Sequence, residues 1–122
     1  MARKILIVDD APIICLMLRD ILVEHGYDVV GQGTNGSEGV EKFKALRPDL
    51  VTMDITMPEK NGIEALREIL IIDPKAKVIV ITAIEQREAL MEAIKVGASD
   101  YIVKPFETDR VITAVKKVFG DE

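Results

Sequence analysis

Five polar residues stand where apolar runs stop: Asp9 and Asp10 after ILIV, Asp54 after LVTM, Thr82 after VIVI, and Lys104 after YIV. Three carboxylates, a hydroxyl and an ammonium are the parts of a site for a metal ion and a phosphoryl group. Crowded carboxylates repel one another and raise a pKa unless a counter-charge intervenes, and Mg²⁺ suits oxygen ligands that leave several waters in place. Lys104 supplies a fixed positive charge, and Thr82 a hydroxyl that both donates and accepts. A carboxylate such as Asp54 is a weak nucleophile, yet it forms an acyl phosphate when phosphorus is placed in line and its oxygens are neutralised. Most of that catalysis is positioning and charge stabilisation.

A parallel sheet would bring such distant residues together, because all its strands end at one rim. The apolar runs begin at Ile5, Asp28, Leu50, Val78 and Tyr101, spaced by roughly one helix and two short loops, as in repeated βαβ units. Ile14, Met17, Leu18, Ile21 and Leu22 predict one core-facing helical stripe, with Pro12 in its first turn and Gly26 at its end. Val40, Phe43 and Leu46 mark a second helix that stops before Pro48. A third runs from an Asn61 N-cap through Leu66, Ile69 and Leu70 to Asp73-Pro74. Leu90, Ala93 and Ile94 precede Gly97 in a fourth, and Val111, Ile112, Val115, Val118 and Phe119 carry the last. Five apolar strands with five helices give an α/β fold, a doubly wound five-stranded parallel sheet of flavodoxin-like order 2-1-3-4-5 between two helical layers. In that order the first strand lies beside the third, so Asp9 and Asp10 neighbour Asp54.

The length of 122 residues suits a single domain spanning 1–122. A net charge of −5 argues against a nucleic-acid partner, whose phosphates call for clustered Lys and Arg. No signal-peptide pattern and no apolar stretch long enough to span a bilayer is present, so a cytoplasmic location is expected, without membrane insertion. Cys15, the sole cysteine, falls in an apolar helical pattern and reads as a buried thiol. Lone His25, near a helix end, reads as a surface residue.

Rival readings compete for the same residues. Acids at strand ends are often helix caps, which Asp10 and Thr82 could be; Lys104 before Pro105 has no comparable structural motive. Gly31, Gly33 and Gly36 spell G-x-G-x-x-G, with Asp54 at about the distance of a dinucleotide fingerprint's acidic residue. That fingerprint belongs at the switch-point strand, whereas this one follows an edge strand. A flavin-phosphate cradle after the first strand would meet two acids, and an aspartyl phosphatase commonly has a second Asp where this chain has Thr56.

The motifs ILIVDD, VTMDITMPEKNG, VIVITA and GASDYIVKPF, in this order and spacing over nearly the whole chain, resemble the receiver domain of two-component response regulators, above all its stand-alone chemotaxis members. The resemblance implies that Asp54 is the phosphorylation site, fed by a sensor histidine kinase. It implies one Mg²⁺ ion, ligated most directly by Asp10, with Asp9 holding metal-bound water and Asp54 and the Thr56 backbone carbonyl completing the set. Lys104 would pair with the phosphoryl group, Thr82 would turn towards it, Ala83 would leave it reachable, and Tyr101 would be the switch aromatic. The Lys104-Pro105 peptide would be cis. Arg87, Met91, Lys95 and Tyr101 would form the partner face.

The implied role is a phospho-accepting switch rather than an enzyme acting on outside substrates, with only slow self-dephosphorylation, and apolar Ile84 beside the site would slow it further. Its partner would be a flagellar motor switch or adaptor protein, with a phosphatase as a possible third party, and the protein itself a monomer. A phosphorelay intermediate passing phosphate to a histidine phosphotransferase is the alternative. No output domain is expected.

Overall fold

A computed structural model describes residues 2–57 and 61–120, so Pro58, Glu59 and Lys60 of the VTMDITMPEKNG motif lie outside the described residues. Strands and helices alternate as β1 (Lys4–Val8), α1 (Pro12–Glu24), β2 (Asp28–Gly33), α2 (Gly36–Leu46), β3 (Leu50–Asp54), α3 (Gly62–Ile72), β4 (Val78–Ala83), α4 (Arg87–Val96), β5 (Asp100–Lys104) and α5 (Thr108–Phe119). All strand pairs are parallel and their order is β2-β1-β3-β4-β5, the doubly wound order expected of short right-handed crossovers.

Side chains alternate across the central strands and so build two cores. Leu6, Val8, Val51, Met53 and Val80 pack with Val40, Phe43, Leu66, Ile69 and Ala93, beneath α2, α3 and α4. Ile5, Ile7, Leu50, Ile79, Ile81 and Ile102 face the opposite way, against Cys15, Leu18, Leu22, Val111, Val115 and Phe119 of α1 and α5. Covering both faces is what demands continuous apolar runs in β1, β3 and β4.

Local signals set the helix boundaries. The Asn61 side chain accepts from the Ile63 and Glu64 amides, each at 3.0 Å, and starts α3 as expected. Asn35 does the same for Glu38 at 2.8 Å, while the Glu38 carboxylate accepts from the Thr34 amide and hydroxyl. At the end of α1, Gly26 adopts φ +88°, which a side chain would strain.

The α1 stripe differs from its expected line. Cys15, Leu18 and Leu22 are buried, whereas Met17 is 42% exposed, because the buried line is centred on Cys15 and leaves Met17 on its far flank. Met91 and Ile94 are likewise exposed, since α4 sinks only Ala93 fully into the core. Met53 and Met57 are core residues, as their apolar character suggests.

Within β3, Thr52 is fully buried and its hydroxyl has no hydrogen-bond partner among the described residues. An orphaned hydroxyl costs stability that an isosteric methyl does not. Thr52→Val should therefore stabilise the fold by about 1 kcal/mol, read from the midpoint of urea unfolding; a loss of stability would show that the hydroxyl is satisfied in solution.

Candidate functional site

The sheet's carboxyl rim gathers the five residues. Asp54 is the last residue of β3, Asp9 and Asp10 follow β1, Thr82 and Ala83 close β4, and Lys104 closes β5. The register places Asp54 opposite Ile81 and Ala83 opposite Lys104, so neighbouring strands end at one level. Asp9, Asp54 and Thr82 are buried, and Asp10 is exposed at the mouth. Neither Asp10 nor Thr82 caps a helix: the N-cap positions of α1 and α4 are Ala11 and Gln86, and neither has a side-chain cap bond. The simple structural explanation of those two residues thus falls away.

Lys104 binds the acids together. Its ammonium lies 3.2 Å from Asp9 Oδ2 and 3.4 Å from Asp54 Oδ2. Burial works against that ammonium, but the charges of Asp54 and then Asp9 outweigh it and raise its pKa. The single positive charge does not neutralise its neighbours in turn. Burial first, and then the charge of Asp9, lift the Asp54 carboxyl to about 6 despite Lys104. Burial also pushes the Cys15 thiol up, with Asp9 adding to the effect, so the buried thiol stays protonated.

A hard cation fits this donor set. Asp9, Asp10 and Asp54 each offer an oxygen, all within 4.8 Å of one another. Asp9 Oδ1 accepts from the Ala11 amide at 2.9 Å, whereas its buried Oδ2 has the Lys104 ion pair but accepts no directed hydrogen bond among the described residues. An unspent buried carboxylate oxygen beside two further carboxylates is what an oxygen-seeking ion requires.

The remaining expected residues surround this centre. Thr56 is exposed in the loop that leaves β3, and its backbone hydrogen-bonds to the Asp54 carboxylate. Thr82 Oγ1 lies 3.1 Å from the Ala83 carbonyl oxygen and 3.3 Å from Gln86 Oε1. Tyr101 is turned outward, 37% exposed, with the Arg110 guanidinium 5.5 Å from its ring centroid and donating to its carbonyl oxygen. Arg110 also lies 3.8 Å from Asp100. Arg87, Met91 and Lys95 recur every four residues along one exposed line of α4. Ile84 is 80% exposed, and the Lys104-Pro105 peptide is cis.

The glycine fingerprint has a packing role. Gly31 and Gly33 lie in edge strand β2, and a Cβ at Gly31 would come within 2.8 Å of Leu46. The N-terminus of α2, where a pyrophosphate would dock, is closed by Asn35 and the Glu38 carboxylate. His25 hydrogen-bonds the Ile21 carbonyl through Nδ1 at the exposed end of α1.

Three residues at the site carry no sequence signal of comparable strength. Gln86 reaches back from the start of α4, Arg110 clamps Tyr101 from α5, and Gly62 lets α3 approach Asp54. A Cβ at Gly62 would sit 2.1 Å from the Asp54 carbonyl oxygen.

Residues 5–116 match the response regulator receiver domain. The chain belongs to that family. It is 57% identical to the chemotaxis protein CheY of Thermotoga maritima, covering 97% of this chain and 98% of that one. With CheY of Bacillus subtilis the identity is 53%, over 98% and 100%. Among solved structures, that of a CheX-CheY-BeF3-Mg+2 complex from Borrelia burgdorferi superposes with a TM-score of 0.91 at 34% identity, covering 96% of this chain and 89% of the other. The phospho-accepting receiver switch implied by the motifs is therefore supported by both sequence and fold, and the dinucleotide reading is not. No helix among the described residues is long and apolar enough to cross a membrane.

The Asp54 pKa has a consequence for stability. Its folded value of about 6 exceeds the ordinary 3.8, so between these values the native protein holds a proton that the unfolded chain has lost. The ionised carboxylate costs nothing below that window and most above it, up to about 3 kcal/mol. Without divalent cations, Asp54→Asn should be the more stable protein above the Asp54 value and should lose that advantage as pH falls below the ordinary one. Urea unfolding across this range checks it; an advantage independent of pH would contradict the assignment.

Proposed function

We propose that Asp54 accepts a phosphoryl group from the phosphohistidine of a sensor histidine kinase, and that the resulting acyl phosphate switches the chain's affinity for a protein partner. The observation that carries this reading is the buried Asp54 carboxylate at the end of β3, with the Lys104 ammonium 3.4 Å away and two further carboxylates alongside. One oxygen of Asp54 attacks phosphorus, the P–N bond breaks, and the imidazole nitrogen keeps the electron pair. Hydrolysis later returns the carboxylate and releases inorganic phosphate.

Asp9, Asp10, Asp54 and the Thr56 carbonyl would hold one Mg²⁺, which supplies charge neutralisation for the phosphoryl oxygens. Lys104 meets the same developing charge from the β5 side, and its ion pairs with Asp9 and Asp54 keep it in place beforehand. Thr82, whose hydroxyl is held by the Ala83 carbonyl and Gln86, would rotate it towards the new group. Movement of Thr82 opens space behind it for Tyr101, so the charge on Asp54 biases a two-state element next to the α4 face of Arg87, Met91 and Lys95. Ala83, small and at the strand end, leaves the phosphoryl group accessible to water or a phosphatase.

The chain acts as a receiver domain, monomeric and cytoplasmic, whose signal leaves by contact with a protein partner. It turns over no outside substrate. The names of its relatives favour chemotaxis, with a kinase of the chemotaxis type upstream and a flagellar motor switch or adaptor protein downstream.

Beryllofluoride with Mg²⁺ serves as the phosphoryl mimic for a test. Loaded protein should bind a purified motor-switch or adaptor partner at least about tenfold more tightly than unloaded protein, a bias of about 1.4 kcal/mol between states. Equal binding in both states, together with transfer of label from Asp54 to a histidine phosphotransferase, would instead establish a relay intermediate.

A further inference from the structure

Gln86 occupies the N-cap position of α4, yet its side chain makes no cap bond to that helix. The carboxamide turns back over the rim. Its oxygen accepts from the Ala83 amide at 2.9 Å and lies 3.3 Å from the Thr82 hydroxyl, while its nitrogen donates to the Thr56 hydroxyl. One side chain thus bridges the loop after β3 to the end of β4, its oxygen occupied by the Ala83 amide and sharing the single Thr82 hydroxyl proton with the Ala83 carbonyl.

These contacts join the ends of the two strands, β3 and β4, whose register sets Asp54 beside them. Asp54 lies opposite Ile81, and the next amide, that of Ile55, donates to the Ile81 carbonyl at 3.0 Å. Thr82 and Ala83 therefore border the downstream side of the Asp54 carboxylate, and Thr56 lies two residues beyond it. The Ala83 N–H and the Thr82 hydroxyl are uncharged donors beside the acids; a neutral amide oxygen takes the first and competes with the Ala83 carbonyl for the second.

We propose that Gln86 is an internal latch, a positioning residue that holds the Ala83 and Thr82 donors in the resting state and must be displaced before a phosphoryl group on Asp54 can use them. The inference rests on the Asp54 reading above. It goes further by giving the resting state a specific competitor for the phosphoryl group. Displacement frees Thr82 to rotate, breaks the bridge to Thr56, and releases the first turn of α4, on the same helix as the exposed Arg87, Met91 and Lys95. The latch acts through Thr82 and Ala83 and takes no part in bond making.

The test is a beryllofluoride titration with Mg²⁺ present, followed by the NMR signals of Thr82 and Tyr101, on wild type, Gln86→Ala, Gln86→Met and Gln86→Glu. Removing the competitor's one committed hydrogen bond on the phosphoryl donors, that from the Ala83 amide, worth about a fivefold effect or somewhat more, should lower the half-saturating concentration about five- to tenfold in Gln86→Ala. Gln86→Met fills similar space without hydrogen bonds and should shift it the same way. Gln86→Glu keeps the acceptors and adds negative charge beside the incoming anion, so its half-saturation should rise above that of wild type.

A merely structural Gln86 would alter the melting temperature and leave half-saturation unmoved. The latch is overturned if folded Gln86→Ala or Gln86→Met binds beryllofluoride no more tightly than wild type. Should wild type bind none, or Asp54→Asn bind equally well, the Asp54 reading fails and the latch fails with it; saturable binding lost in Asp54→Asn keeps the two questions separate.

Discussion

Two buried carboxylates, Asp9 and Asp54, share one ammonium, that of Lys104, at the carboxyl rim of a parallel sheet. The arrangement is under-neutralised. One positive charge leaves Asp54 with a carboxyl lifted to about 6, and it leaves an oxygen of Asp9 without a directed hydrogen bond. Such a cluster survives only because β1, β3, β4 and β5 deliver its members to fixed places from an apolar core that covers both faces of the sheet. The same imbalance gives the site an appetite for a cation and for a group whose negative oxygens can be divided between that cation and Lys104.

Around this charged centre the neutral groups are set for one state. The Thr82 hydroxyl contacts the Ala83 carbonyl and Gln86, and Tyr101 is turned outward under Arg110. These contacts are few and neutral or exposed, the kind that a new double negative charge on Asp54 can outbid. On the proposed reading, with Asp54 as the input and Thr82 and Tyr101 as its reporters, switching would need little rearrangement of the core. The apolar faces of the sheet can remain as they are while the rim changes.

Much of this was legible in the sequence because strand ends in a parallel sheet map directly onto one edge. Asp9, Asp54, Thr82 and Lys104 could be brought together without knowing a single side-chain rotamer, and the Asn61 cap followed from residue type and position. Less could be read where rotation or reach decides. Met17 and Cys15 are both apolar and two residues apart, and only the angle at which α1 lies on the sheet determines which is buried. Gln86 is an unremarkable polar residue at a helix start until its side chain is seen folding away from its own helix. Arg110 acts on Tyr101 across nine residues and two elements, and Gly62 matters through a clash that appears only when Asp54's carbonyl has a position. The glycines at 31, 33 and 36 show the converse: a literal fingerprint, placed on an edge strand with its helix end already capped, is a packing device.

The central claim is that Asp54 is the phosphoryl acceptor. It is tested most directly by incubating the protein with a radiolabelled phosphohistidine kinase and Mg²⁺, then mapping the acid-stable and base-labile character of the label with its position by peptide mass spectrometry. Stoichiometric, base-labile label on Asp54 that is lost with Mg²⁺ removal and absent from Asp54→Asn is the predicted result. Equal label in Asp54→Asn, or label resident on another side chain of the wild-type protein, would contradict it.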